Sequence, residues 1–157
     1  MDTKILFALW LICVASLIGC TKQKSGLPEV LVYKNATCEC CKSWSQHLRN
    51  AGFTVEIRNL DNLNDVKQRV GIPAGMGSCH TAEVGGYFIE GHVPAADIKR
   101  LLAERPDAKG LAVPGMPVGS PGMESPTGET QPYDVLLVSP HGSTAVFSHH
   151  GSTTARQ

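Results

Sequence analysis

Apolar positions in this chain come in short blocks separated by glycine and proline, and their spacing predicts the order of elements. Val30 to Tyr33 is an unbroken apolar run, the pattern of a buried strand. Lys42 to Ala51 sets Trp44 and Leu48 one helical turn apart and stops at Gly52, which predicts a helix. Phe53 to Ile57 alternates as a strand does, and Leu63 to Val70 predicts a second helix ended by Gly71 and Pro73. After a Pro73 to Ser78 loop, Cys79 to Val84 and Tyr87 to Glu90 flank Gly85-Gly86, a hairpin signature. Pro94 to Ala103 predicts a third helix, with Pro94 suited to its first turn and Asp97 to its positive end. Tyr133 to Val138 and Thr144 to Phe147, joined through Pro140-His141-Gly142, predict a last hairpin at a sheet edge. The fold class is therefore α/β (α+β), a mixed sheet with flanking helices.

Two stretches fall outside this pattern. Gly110 to Gly128 is rich in proline and glycine and repeats Pro-Gly-Met, so Met116 and Met123 sit where neither a regular helix nor a central strand can form. At the N-terminus Lys4 precedes a continuous apolar or small run, Ile5 to Ile18. Spanning a bilayer takes roughly 20 residues, so the shorter run reads as an export signal. Leu17-Ile18-Gly19-Cys20 resembles the lipobox of bacterial lipoproteins. That resemblance implies cleavage before Cys20, its lipidation, and attachment to the cell envelope facing the periplasm, with the outer membrane favoured because Thr21 is not aspartate. An ordinary signal peptide cut nearby is the alternative. The expected division is residues 1–19 signal peptide, 20–28 lipidated cysteine and tether, 29–150 folded domain and 151–157 flexible tail. With 14 basic and 14 acidic residues and no run of either sign, nothing predicts a nucleic-acid surface. Contact with a membrane is expected through the lipid only.

The chemistry concentrates at Thr37-Cys38-Glu39-Cys40-Cys41, between the first strand and the first helix. A helix N-terminus favours thiolate over thiol, so these sulfurs are expected to bind metal or to exchange disulfides. With Cys13 in the signal and Cys20 lipidated, Cys79 is the other thiol of the mature domain. Metal ligation, a Cys38–Cys41 redox pair and structural disulfides all remain open on spacing alone, the last being the least natural for so tight a cluster. The order of elements resembles a thioredoxin-like core, in which the loop entering the third strand lies beside the head of the first helix. That resemblance places Ser78-Cys79-His80-Thr81 opposite the cluster, where thioredoxins carry a cis-proline. A sulfur-rich pocket selects soft ions, Cu(I) or Zn(II) among them, and outside the cytoplasm copper is favoured. His80 and Met116 are candidate auxiliary ligands or gates. His47 is expected at the surface, with a place on the cluster side as the alternative, and His92 is expected to cap or orient the third helix, with a supporting role at the metal site as the alternative. His149 and His150 are weak candidates for Cu(II) capture.

Several ordered motifs carry a closer resemblance. They are Cys38-x-Cys40-Cys41-Lys-x-Trp44, Gly71-Ile-Pro73, Ser78-Cys79-His80-Thr81-Ala, Gly86-Tyr87-x-Ile89-Glu90-Gly91-His92-Val-Pro94, and Gly110 through Met116 to Met123-Glu124. Over about residues 30 to 150 the chain resembles the CopG-type periplasmic copper-resistance proteins. The resemblance implies a thioredoxin-like domain with a multinuclear copper site bridged by Cys38, Cys40, Cys41 and Cys79. It also implies a role in copper tolerance that interconverts Cu(I) and Cu(II), with a copper efflux or redox protein as partner. A thiol–disulfide oxidoreductase using Cys38 and Cys41, or a passive copper chaperone without turnover, are the alternatives.

Overall fold

The computed structural model describes residues 26–151. The export segment, Cys20, most of the tether and residues 152–157 lie outside the described residues. Among those described, no helix is long and apolar enough to cross a membrane. The elements are β1 (Val30–Lys34), α1 (Glu39–Asn50), β2 (Val55–Asn59), α2 (Asn64–Val70), β3 (His80–Val84), β4 (Tyr87–Glu90), α3 (Ala95–Glu104), β5 (Gly110–Ala112), β6 (Tyr133–Val138) and β7 (Thr144–His150). One mixed sheet holds all seven strands in the order β2-β1-β3-β4-β5-β6-β7. Strand β1 runs parallel to β2, and β4 to β5; the other pairs are antiparallel.

Side-chain alternation divides the sheet into two faces. Register aligns Val32, Ala82, Ile89, Leu111 and Leu137 across neighbouring strands, and this row packs with Trp44 and Leu48 of α1 and Ile98 and Leu101 of α3. The opposite face sets Phe88, Ala112 and Val138 against Val70, Ile72 and Met76, from α2 and the loop after it. At Gly85 and Gly86 φ is +58° and +93°, the left-handed pair that a tight primed turn demands of the β3–β4 hairpin.

The mixed sheet, its flanking helices, the Pro/Gly/Met loop and the C-terminal hairpin match the fold class expected. Boundaries differ in informative places. Helix α1 begins at Glu39 rather than Lys42 because the Cys38 sulfur caps it, accepting the Cys41 N–H at 3.4 Å. Cys40 and Cys41 thus lie inside the first turn. Phe53 stands before β2 and is buried. Strand β5 was not expected. The last strand runs on past Phe147, where it was expected to stop, and ends at His150.

The two ends of β1 face different surroundings. Its first residue, Val30, donates its N–H to Thr54 O at 2.9 Å. The incoming segment passes Gly52 and Thr54, and Pro28 reaches the Gly85 turn. Its last residue leads through Asn35 to Cys38 at the other end of the sheet.

Candidate metal centre

Four sulfurs converge where the head of α1 meets the loop entering β3. Those of Cys38, Cys40, Cys41 and Cys79 all lie within 4.8 Å of one another. Cys38 and Cys41 are joined as a disulfide, and Cys40 and Cys79 are free. The Cys40 sulfur stands 3.5 Å from that of Cys38 and 3.7 Å from that of Cys79. Cys41 is fully buried, whereas Cys38, Cys40 and Cys79 are half-buried.

Cys79 also belongs to a second group. Its sulfur lies 3.4 Å from His80 Nδ1 and 3.2 Å from His92 Nε2. His92 Nδ1 is 2.9 Å from Pro121 O, and a carbonyl oxygen only accepts, so Nδ1 carries the proton and the Nε2 lone pair faces the thiol. His80 is fully buried with Nε2 unpartnered. Its ring lies under Trp44 with centroids 4.3 Å apart, and Trp44 donates its indole N–H to Val93 O at 2.9 Å. The nitrogen that faces Cys79 is Nδ1, so a soft cation beside the thiol would meet His80 Nδ1 and His92 Nε2, and His80 Nε2 is left without a partner on the far edge of the ring.

Burial sets the protonation of this pocket. It pushes the Cys79 thiol up to about 11, with the neighbouring Cys40 adding to the effect. Cys79 is on the facing loop, outside the helix head for which thiolates were expected, and its thiol stays protonated at neutral pH. Burial holds His80 well below the usual histidine value, helped by His92, and lowers His92 and His47 as well. All three depressed values act in one direction on stability. Unfolded histidine takes up protons near pH 6.5 while the folded chain resists, so stability is full above about 6.5 and is lost as pH falls below it. The metal-free domain is expected to melt at a lower temperature near pH 5 than near pH 7.5; a flat or opposite profile in a thermal scan would contradict these environments.

The structure sorts the sequence-based candidates. Cys38, Cys40, Cys41, Cys79 and His80 come together as expected. Met116 does not join them in the same way: its side chain is 53% exposed, although Gly115 O accepts from Ser78 Oγ at 2.6 Å beside Cys79. The same loop crosses the head of α1 further on. A Cβ at Gly122 would stand 2.6 Å from Cys40 O and 2.7 Å from Trp44 N, so only glycine allows this approach. His92, expected first to cap or orient α3 and only alternatively to serve the site, faces Cys79. The hairpin register could have revealed it: Val84 pairs with Tyr87 and Thr81 with Glu90, and continuing the count sets Cys79 opposite His92. His47, expected at the surface, does the capping, its Nε2 accepting the Ala95 N–H at 3.0 Å where Pro94 offers no side-chain acceptor. His149 pairs with Asp134 at 2.6 Å and His150 with buried Asp97 at 2.7 Å, so both have partners within the fold.

Comparison with known proteins adds the family. Residues 76–123 match a family model described as a protein of unknown function, DUF411. No curated protein matches the chain. Two solved structures do, titled copper resistance protein CopG, form 1 and form 2. Form 1 is 44% identical, with a TM-score of 0.75 over 80% of this chain and 99% of that one. Form 2 is 45% identical over the same shares, again with a TM-score of 0.75.

Proposed function

Because the chain belongs to the family of the copper-resistance protein CopG, we propose that it binds copper in copper tolerance, holding Cu(I) at the four-cysteine centre as its cargo. The observation that carries this is the convergence of four sulfurs and two imidazoles around Cys79. Soft thiolate donors select Cu(I), and bridging sulfur allows more than one ion per site. In this reading Cys38, Cys40, Cys41 and Cys79 are the bridging ligands. His80 and His92 are auxiliary ligands whose neutral rings need lose no proton, and Met116 covers the opening. The β1-α1-β2-α2-β3-β4-α3 unit is read as a thioredoxin-like core. The protein is a periplasm-facing lipoprotein anchored through Cys20, outer membrane favoured, that passes copper to an efflux partner, or interconverts Cu(I) and Cu(II) by exchanging one electron per ion with a redox partner.

Loading the full set of ligands requires that the Cys38–Cys41 disulfide first be reduced by two electrons. The deciding measurement is metal content together with free thiols on the soluble form lacking residues 1–20, exported in copper-supplemented cells and purified without oxygen. More than one copper ion per chain with thiols shielded from reagent supports the proposal. No copper and an intact Cys38–Cys41 bond refutes it, and favours the second reading, a thiol–disulfide oxidoreductase, which that bond itself motivates.

Proton release gives a further expectation. A Cys79 thiol pushed up to about 11 is protonated at neutral pH, and a bound ion must displace that proton. Apparent Cu(I) affinity is therefore expected to rise by about tenfold per pH unit for each proton expelled. Competition titrations with a chromophoric Cu(I) chelator between about pH 6 and pH 8 measure this slope, and a pH-independent affinity would remove Cys79 from the ligand set.

A further inference from the structure

We propose that Glu90, held by Lys67, is a positioning residue that fixes the Cys79-His80 pair from the neighbouring strand. The inference rests on the copper reading of that centre.

Glu90 is the last residue of β4 and is fully buried. Its Oε1 accepts the backbone N–H of Ser78 at 2.5 Å and forms an ion pair with Lys67 of α2. Its Oε2 accepts the Thr81 hydroxyl at 2.6 Å, and Lys67 Nζ also donates to Thr81 Oγ1 at 3.0 Å. One carboxylate therefore grips the residues on both sides of Cys79-His80. The placement matters because the β3–β4 ladder ends at the Thr81–Glu90 pair. Beyond it the Ser78 N–H has lost its place in the ladder, and the Glu90 side chain takes over. Ser78 then donates its hydroxyl to Gly115 O at 2.6 Å, so the same anchor also steadies the loop carrying Met116.

Energetics point the same way. Burying a carboxylate and an ammonium costs several kcal/mol, and apolar residues of similar volume often serve stability as well or better. The rest of β4, Tyr87, Phe88 and Ile89, is apolar. What the ion pair supplies that an apolar pair cannot is a directed acceptor at Ser78 and Thr81. Outer-sphere partners of this kind orient metal ligands, and losing one typically weakens binding by about ten- to a hundredfold.

The test compares two shape-conserving double variants of the reduced, soluble chain by anaerobic competition for Cu(I) against a chromophoric chelator, with thermal melting in parallel. Lys67→Met/Glu90→Gln removes both charges but keeps a carbonyl that can accept the Ser78 N–H. Lys67→Met/Glu90→Leu removes the acceptor too. The leucine variant is expected to melt cooperatively and to bind Cu(I) about ten- to a hundredfold more weakly, whereas the glutamine variant stays close to wild type. Wild-type affinity in the leucine variant overturns the proposal, and so does an equal loss in both, because charge rather than the acceptor would then be at work. Should the leucine variant fail to melt cooperatively, Thr81→Val replaces it, with weakened binding expected and unchanged binding overturning the proposal. If the wild-type chain binds no copper, the copper reading falls by itself, and the clamp is judged from metal-free alkylation of Cys79 relative to Cys40. A severalfold change of that ratio in the leucine variant supports it, and an unchanged ratio overturns it.

Discussion

Cys79→Ser is expected to leave the fold intact and abolish multi-copper loading. Cys79 stands in both donor groups, 3.7 Å from the Cys40 sulfur and 3.2 Å from His92 Nε2, and it is the one thiol supplied by the loop facing α1. A serine hydroxyl is a hard donor that stays protonated and bridges soft ions poorly. The thiols at the head of α1 would then face only the imidazoles of His80 and His92, which do not bridge ions as a thiolate does. Affinity should fall by at least about a hundredfold, the upper end of what losing an outer-sphere partner costs. Stability should change little, within roughly 1 kcal/mol, because the side chain is half-buried and outside the apolar core. Copper per chain by elemental analysis and Cu(I) competition read the effect directly. Wild-type stoichiometry in this variant would show that Cys79 takes no part in binding.

The largest loss of stability is expected from Trp44→Ala. Trp44 is fully buried where α1 packs on the sheet, lies tilted against the His80 ring with centroids 4.3 Å apart and donates to Val93 O at 2.9 Å. Truncating so large a core side chain typically costs about 3–5 kcal/mol, with a cavity left under the helix head. Each kcal/mol lowers the melting temperature of a domain of this size by about 4 °C. Trp44→Phe keeps most of the packing but leaves the Val93 carbonyl unpaired, for about 1–3 kcal/mol. The expected order of melting temperatures is wild type, then phenylalanine, then alanine. An alanine variant that melts with the wild type would mean that α1 is held by something other than this contact.

How far the sequence could be read varied with how local the signals were. Strand β1, the Gly85-Gly86 hairpin and strand β6 were legible because each carries its own pattern of apolar residues and turn glycines. Strand β5 was not, since Gly110-Leu-Ala is too short to show a period and becomes a strand only by pairing with β4 and β6. The head of α1 was placed late because cysteine is an unusual helix cap, and only the Cys38 sulfur accepting from the Cys41 N–H explains the earlier start. The four cysteines were visible as a cluster from their spacing and from the order of elements. His92 was hidden because its role depends on hairpin register carried past the last pair, and His47 because its partner, Ala95, is on another helix. The Glu90 clamp lay inside an otherwise ordinary strand sequence, and only its three donors distinguish it.

The direction of β1 sets which way the molecule looks. The segment from Gly26 to Glu29 enters β1 beside Gly52, Thr54 and the Gly85 turn, while the thiols open at the end where β1 leaves. The strand advances about 3.3 Å per residue, so its length separates point of attachment from chemistry by roughly 16 Å. A chain held at a surface by its N-terminus would stand on one pole and turn the sulfur pole outward, toward whatever diffuses past. Docking at that outer pole would then need no lifting or unfolding of the domain from its support.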